Sequence, residues 1–266
     1  MLKKNLNKTK TKKVDLIILV LCPVIACILS FLLNADALVS IALFLGLPAT
    51  YLSYKAKKLI KKTAFFSLIV SVPAIVIIEY IANITNTWGV LRPTIQIKLL
   101  GVVTIDAILW AICLVYYVVI FYEYFLDKHA DKKIYRPFMR YLEILLLLGL
   151  WFFTLLLLTA PTILNIPYFY FSFGIILIFI PLIICLFKYP NLLKKFLQTG
   201  LYFFFVTFIY EITSIKLGII QFPGNEFIGW VNCLGTSFPL EELFFWCILF
   251  SMAILAYYEF FNDDRK

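Results

Sequence analysis

Charge is scarce in this chain: 15% of its 266 residues are Asp, Glu, Lys or Arg, against about 25% in a soluble domain. It has a single histidine, His129, and six cysteines with no paired spacing, so neither a disulfide framework nor a metal knuckle is indicated. No Asp-rich segment is present that could hold a magnesium diphosphate, and no G-x-G-x-x-G that could cradle a flavin or nicotinamide. No cofactor and no metal are therefore expected. What fills the chain is apolar: 63% hydrophobic, 18% aromatic. That composition predicts an all-α integral membrane protein, best counted in spans of roughly 20 residues.

Eight spans are predicted, near 14–34, 36–54, 63–84, 99–126, 138–159, 166–187, 196–217 and 237–261, with the second and third interrupted by Pro48 and Pro73. No small-residue cleavage site follows the Lys-rich start cleanly, so the first apolar run is read as a span. Eight spans leave only Arg92, Lys98 and Lys216, of the 24 basic residues, on one side. The positive-inside rule then predicts both termini in the cytoplasm and a multi-pass protein of the cell membrane. The formal charge of +9 is read as this orientation signal and as a surface for anionic lipid, not for nucleic acid.

The chain carries an internal echo. With Glu123 laid on Glu259, W-A-I (Trp110 to Ile112) falls on W-C-I (Trp246 to Ile248), F-Y-E-Y-F (Phe121 to Phe125) on Y-Y-E-F-F (Tyr257 to Phe261), and Asp106 on Glu242. Upstream, I-E-Y-I (Ile78 to Ile81) meets Y-E-I-T (Tyr210 to Thr213). Spans three and four thus resemble spans seven and eight, in parallel orientation. The predicted organisation is a basic segment at 1–13, four-helix repeats at 14–137 and 138–261, and a tail at 262–266.

Ionisable groups inside spans are expensive and mark function by default. Glu79, Asp106, Glu211, Glu241 and Glu242 all fall in the outer half of the predicted bundle, whereas Glu123, Glu143 and Glu259 fall near lysines at the other end. Thr207, Tyr210, Glu211 and Ser214 form one helical stripe, and Glu79, Asn83 and Asn86 another; such stripes face a bundle interior. For Glu241 and Glu242 a simpler reading exists: Pro239 in a first helical turn, followed by acids that complement the dipole. Adjacent helical residues point about 100° apart, however, so the two cannot face the same water, and Phe238, Leu243, Phe244, Phe245 and Trp246 surround them.

P-L-E-E-L-F-F (Pro239 to Phe245) resembles the PxE(E/D)xxF motif of the membrane lycopene cyclase family, the small flavin-independent cyclases that occur as tandem or heterodimeric domains. An acidic span end, a turn and a glycine-bearing segment precede the motif, as in that family; the first half has Glu79 and T-W-G-V-L-R-P in the corresponding places. The first-half motif departs, reading V-T-I-D-A-I-L-W, where only Asp106 keeps an acid. The resemblance implies acid-catalysed, non-redox cyclisation of a lycopene-like polyene within the bilayer, an isomerisation of carotenoid biosynthesis, with a homo-oligomer or a partner cyclase subunit as possible assemblies. The acid must hold its proton near neutral pH, which burial and a second carboxyl both favour. Glu241 is the expected donor, with Glu242 and Glu211 as partners, Asp106 and Glu79 as further acids, and Pro239, Phe244, Phe245, Trp246, Trp230 and Trp88 as the substrate wall. A CAAX-type protease pattern fails because Trp246 stands where its arginine would be. A proton-coupled transporter and a non-catalytic descendant of a cyclase remain as alternatives.

Overall fold

A computed structural model describes the backbone of residues 2–127 and 134–262, and the side chains of 11–127 and 134–262. His129, Lys128, Lys132, Lys133, Arg265, Lys266 and the side chains of the first lysines lie outside the described residues.

Among the described residues, eight helices are long and apolar enough to cross a membrane: α1 (Thr11–Leu32), α2 (Ala37–Lys55), α3 (Lys57–Ile84), α4 (Ile105–Phe125), α5 (Met139–Thr159), α6 (Phe169–Lys188), α7 (Pro190–Lys216) and α8 (Glu242–Phe261). Pro48 and Pro73 do not break α2 and α3. A proline removes the N–H that would bond residue i−4 and crowds that carbonyl. In α2 the strain is absorbed by a wide π-turn at Ala42–Gly46, which contains Phe44, four residues before Pro48. The same device recurs in α6, where a π-turn at Gly174–Phe179 contains Leu177, four residues before Pro181. The Leu177 carbonyl accepts a hydrogen bond from Tyr257 Oη at 3.0 Å, so α8 satisfies the group that the proline leaves free.

Two helices start later than the sequence predicts, because each is fed by a hairpin. Strands β2 (Lys98–Leu99) and β3 (Val103–Thr104) precede α4, and β5 (Trp230–Cys233) and β6 (Thr236–Pro239) precede α8. Both hairpins turn on a Leu-Gly pair in the left-handed region, Leu100–Gly101 and Leu234–Gly235. Pro239 consequently ends a strand and does not open a helix. A third strand pair, β1 (Gly89–Val90) with β4 (Ile220–Gln221), joins the loops after α3 and α7 in antiparallel register.

Helix α4 is the most enclosed, with Tyr117, Val118, Val119, Ile120 and Tyr122 fully buried. It packs along α8: the indoles of Trp110 and Trp246 stack at 4.6 Å, the Tyr122 hydroxyl donates to Glu259, and the Tyr258 hydroxyl donates to Glu123. Helix α5 is the opposite case, apolar on every side and exposing Leu147, Leu148, Trp151, Phe152 and Leu158, as a helix facing lipid does.

Polar contacts gather at the two ends of the bundle. At one end, Asp15 accepts from Tyr51 at 2.5 Å and pairs with Lys55 at 3.0 Å, and Lys62 pairs with Glu123 at 2.8 Å in a fully buried bridge. At the other end, Arg92 donates to Asn34 Oδ1 at 3.1 Å and to the Leu217 carbonyl at 3.0 Å, tying together the loops after α1, α3 and α7.

Candidate acid site in an apolar cavity

From the second polar region into the bundle runs a partly open cavity of about 460 Å³, walled by α2 to α8 and almost wholly apolar. Ile41, Phe66, Ile75, Ile78, Ala107, Leu146 and Ile254 form much of the wall. Four carboxyl side chains interrupt it: Glu79, Asp106, Glu211 and Glu242. All four are almost completely buried.

Glu242 owes its place to the hairpin ahead of it. The Leu240 N–H donates to the Gly229 carbonyl at 2.9 Å, and the Ile228 N–H donates to Glu241 Oε1 at 2.7 Å. The start of α8 is thereby clamped beneath the loop. Glu241 is held in that clamp through Oε1, and the helical rotation to the next residue turns Glu242 into the cavity. Glu242 Oε2 accepts the Tyr170 hydroxyl at 2.5 Å. Its carboxyl also meets that of Glu211, and the two interact directly.

Glu79 and Asp106, in the first half, are held differently. Glu79 accepts Trp88 Nε1–H at 2.8 Å and Asn83 Nδ2–H at 3.3 Å. Asp106 Oδ2 accepts the backbone N–H groups of Thr94 and Ile95. Glu79 and Asp106 thus take only N–H donors from protein groups, while Glu242 and Glu211 face each other and a phenol.

The structure gathers the sequence-derived acids as one set, with Glu241 set apart: it is fully buried but does not line the cavity. Of the expected substrate wall, Trp88 and Trp246 line the cavity. Phe245 is buried between Gly174 and Phe171, and Phe244 points outward, 44% exposed. Trp230 lies on the hairpin, half exposed, and Pro239 is buried in β6. Seven lining aromatics were not in the expected set: Phe66, Trp110, Tyr170, Phe173, Tyr210, Phe250 and Tyr257. Trp110 was visible as the counterpart of Trp246, and Tyr210 as a member of the Glu211 stripe; Tyr170 sits in an aromatic run that gives no signal. Among the described residues, no group of three or more His, Cys, Asp or Glu side chains is placed to hold a metal ion.

Comparison with protein-family models, curated proteins and solved structures found no match to the chain.

Proposed function

We propose that the chain is a carotenoid end-group cyclase of the lycopene cyclase type, acting on a linear polyene inside the cytoplasmic membrane. One observation carries this reading: the Glu211–Glu242 pair, hydrogen-bonded by Tyr170, in a cavity whose lining is mostly apolar and aromatic. Two carboxyls in contact need one proton between them, so the pair is built as an acid beside a carboxylate. Tyr170 fixes the second oxygen of Glu242 and orients the donor.

The reaction asks for little else. Glu242 delivers its proton to the terminal alkene, giving a tertiary cation. The neighbouring alkene attacks, closing the ring and moving the charge, and loss of a proton from carbon sets the ring double bond. No electrons enter or leave. The indoles of Trp88, Trp110 and Trp246 line the cavity, and an indole face turned to the cation is worth about 2 kcal/mol or more once desolvated. An apolar wall also protects the cation from capture by water. A proton-coupled carrier would need water to reach its acids from each side in turn, and this lining offers few polar groups for that.

The two halves are read as parallel repeats about an axis running between α4 and α8, supported by reciprocal contacts of matched residues. The lysine-rich end is placed in the cytoplasm, which puts the acids toward the outer leaflet.

The test is expression in a lycopene-accumulating bacterial strain, native chain against Glu242→Gln, with pigments separated by chromatography. A cyclic carotenoid that disappears in the variant supports the reading. Unchanged lycopene in both, with verified membrane insertion, contradicts it.

A further inference from the structure

The first-half motif keeps one acid, Asp106, and loses the rest. Its surroundings give that retention a role. Asp106 is 1% exposed and lines the same cavity as Glu242, yet makes no contact like the Glu211–Glu242 pair. Oδ2 is anchored by the Thr94 and Ile95 N–H groups, whereas Oδ1 is buried with no hydrogen-bond partner among the described residues. Glu79, the other first-half acid, has both oxygens engaged by side-chain donors. Tyr210, next in sequence to Glu211, lines the same cavity.

Resting on the cyclase reading above, we propose that Asp106 is the base of the reaction, so that donor and acceptor come from opposite halves of the chain. The proton leaves the Glu211–Glu242 pair and bonds to the terminal alkene carbon. A carbon–carbon bond closes the ring. The C–H bond next to the resulting cation then breaks: its electron pair becomes the ring double bond, and its proton passes to Asp106 Oδ1. Atoms and charge balance without a co-reactant. The loss of the second glutamate from the first motif then marks a division of labour, because a neighbouring acid would contest the free oxygen.

Asp106→Asn is the informative variant. The amide oxygen can still accept from Thr94 and Ile95, so the loop stays anchored, and only the free carboxylate oxygen is lost. The expected result, per unit of membrane-inserted protein, is that polyene is still consumed, with the native ring isomer falling by about 10²-fold or more and other double-bond isomers or a hydrated ring in its place. Native product at native rate would reduce Asp106 to a loop anchor and overturn the proposal. Complete loss of polyene consumption would put Asp106 with the acid and overturn it too. Unchanged polyene with the native chain would instead remove the cyclase reading beneath it, and a fully active Glu242→Gln variant would remove only the donor role of Glu242. If Asp106→Asn does not accumulate, Asp106→Glu and Asp106→Gln decide: the native isomer from the glutamate variant alone supports the base, and equal products from both contradict it.

Discussion

The hydroxyl of Tyr122, on α4, donates to the carboxylate of Glu259, on α8, and the exchange is returned by the next residues along, Tyr258 to Glu123. Tyr122 meets Glu259 while Tyr258 meets Glu123, the crossed pattern that the proposed two-fold repeat calls for. The nearby cations repeat it: Lys62 sits over the Tyr258 ring at 5.0 Å, and Lys195 over the Tyr122 ring at 5.5 Å. Trp110 on Trp246 closes the seam at the cavity.

Matched contacts should carry matched energies. Tyr122→Phe and Tyr258→Phe are each expected to destabilise the protein by about 1.5–3 kcal/mol, the range for a hydrogen bond to a charged group. Thermal unfolding in detergent checks this. A large loss in one variant with none in the other would argue against the reciprocal arrangement.

Lys62 and Glu123 form a bridge with no access to solvent. Removing one partner strands a buried charge, so Lys62→Met should cost about 3–5 kcal/mol. Replacing both, Lys62→Met with Glu123→Leu, should recover much of that loss. A double variant as unstable as the single would mean that the wider network around the bridge, and not the stranded charge, sets the penalty.

Gly174 lies flat against the Phe245 ring, where a methyl group has no room. Gly174→Ala should therefore destabilise by about 1–3 kcal/mol through overpacking. Adding Phe245→Leu should relieve part of it, and a neutral Gly174→Ala would show that α6 and α8 can move apart freely.

The adjacent acids of the motif should behave unlike one another. Glu241→Gln keeps an oxygen for the Ile228 N–H and should retain most of the native cyclisation rate, whereas Glu242→Gln should lose about 10²–10⁴-fold. Pigment yield per inserted protein distinguishes them. The reverse order would return the donor role to Glu241.

Much of this arrangement is legible in the residues. Apolar run lengths set the eight helices, because a span must satisfy its backbone internally and so declares itself by length. The stripe of Thr207, Glu211 and Ser214 faces inward as its helical spacing predicts. Where reading stopped short was in short-range geometry. The hairpins before α4 and α8 are too short and too apolar to stand out from the spans that follow. Without β5 and β6 nothing in P-L-E-E indicates which glutamate the Ile228 N–H will claim. Tyr170 reaches Glu242 from another helix, a contact that no spacing along the chain records.

The most direct test of the central claim is turnover of a linear polyene by the purified protein in deuterated buffer, followed by mass spectrometry of the product. Protonation by an exchangeable carboxyl predicts one deuterium retained for each ring formed, with no other change in mass, and ring formation slowed about 10²–10⁴-fold in Glu242→Gln. A cyclic product without deuterium, or one altered in mass by oxidation or reduction, would contradict the account.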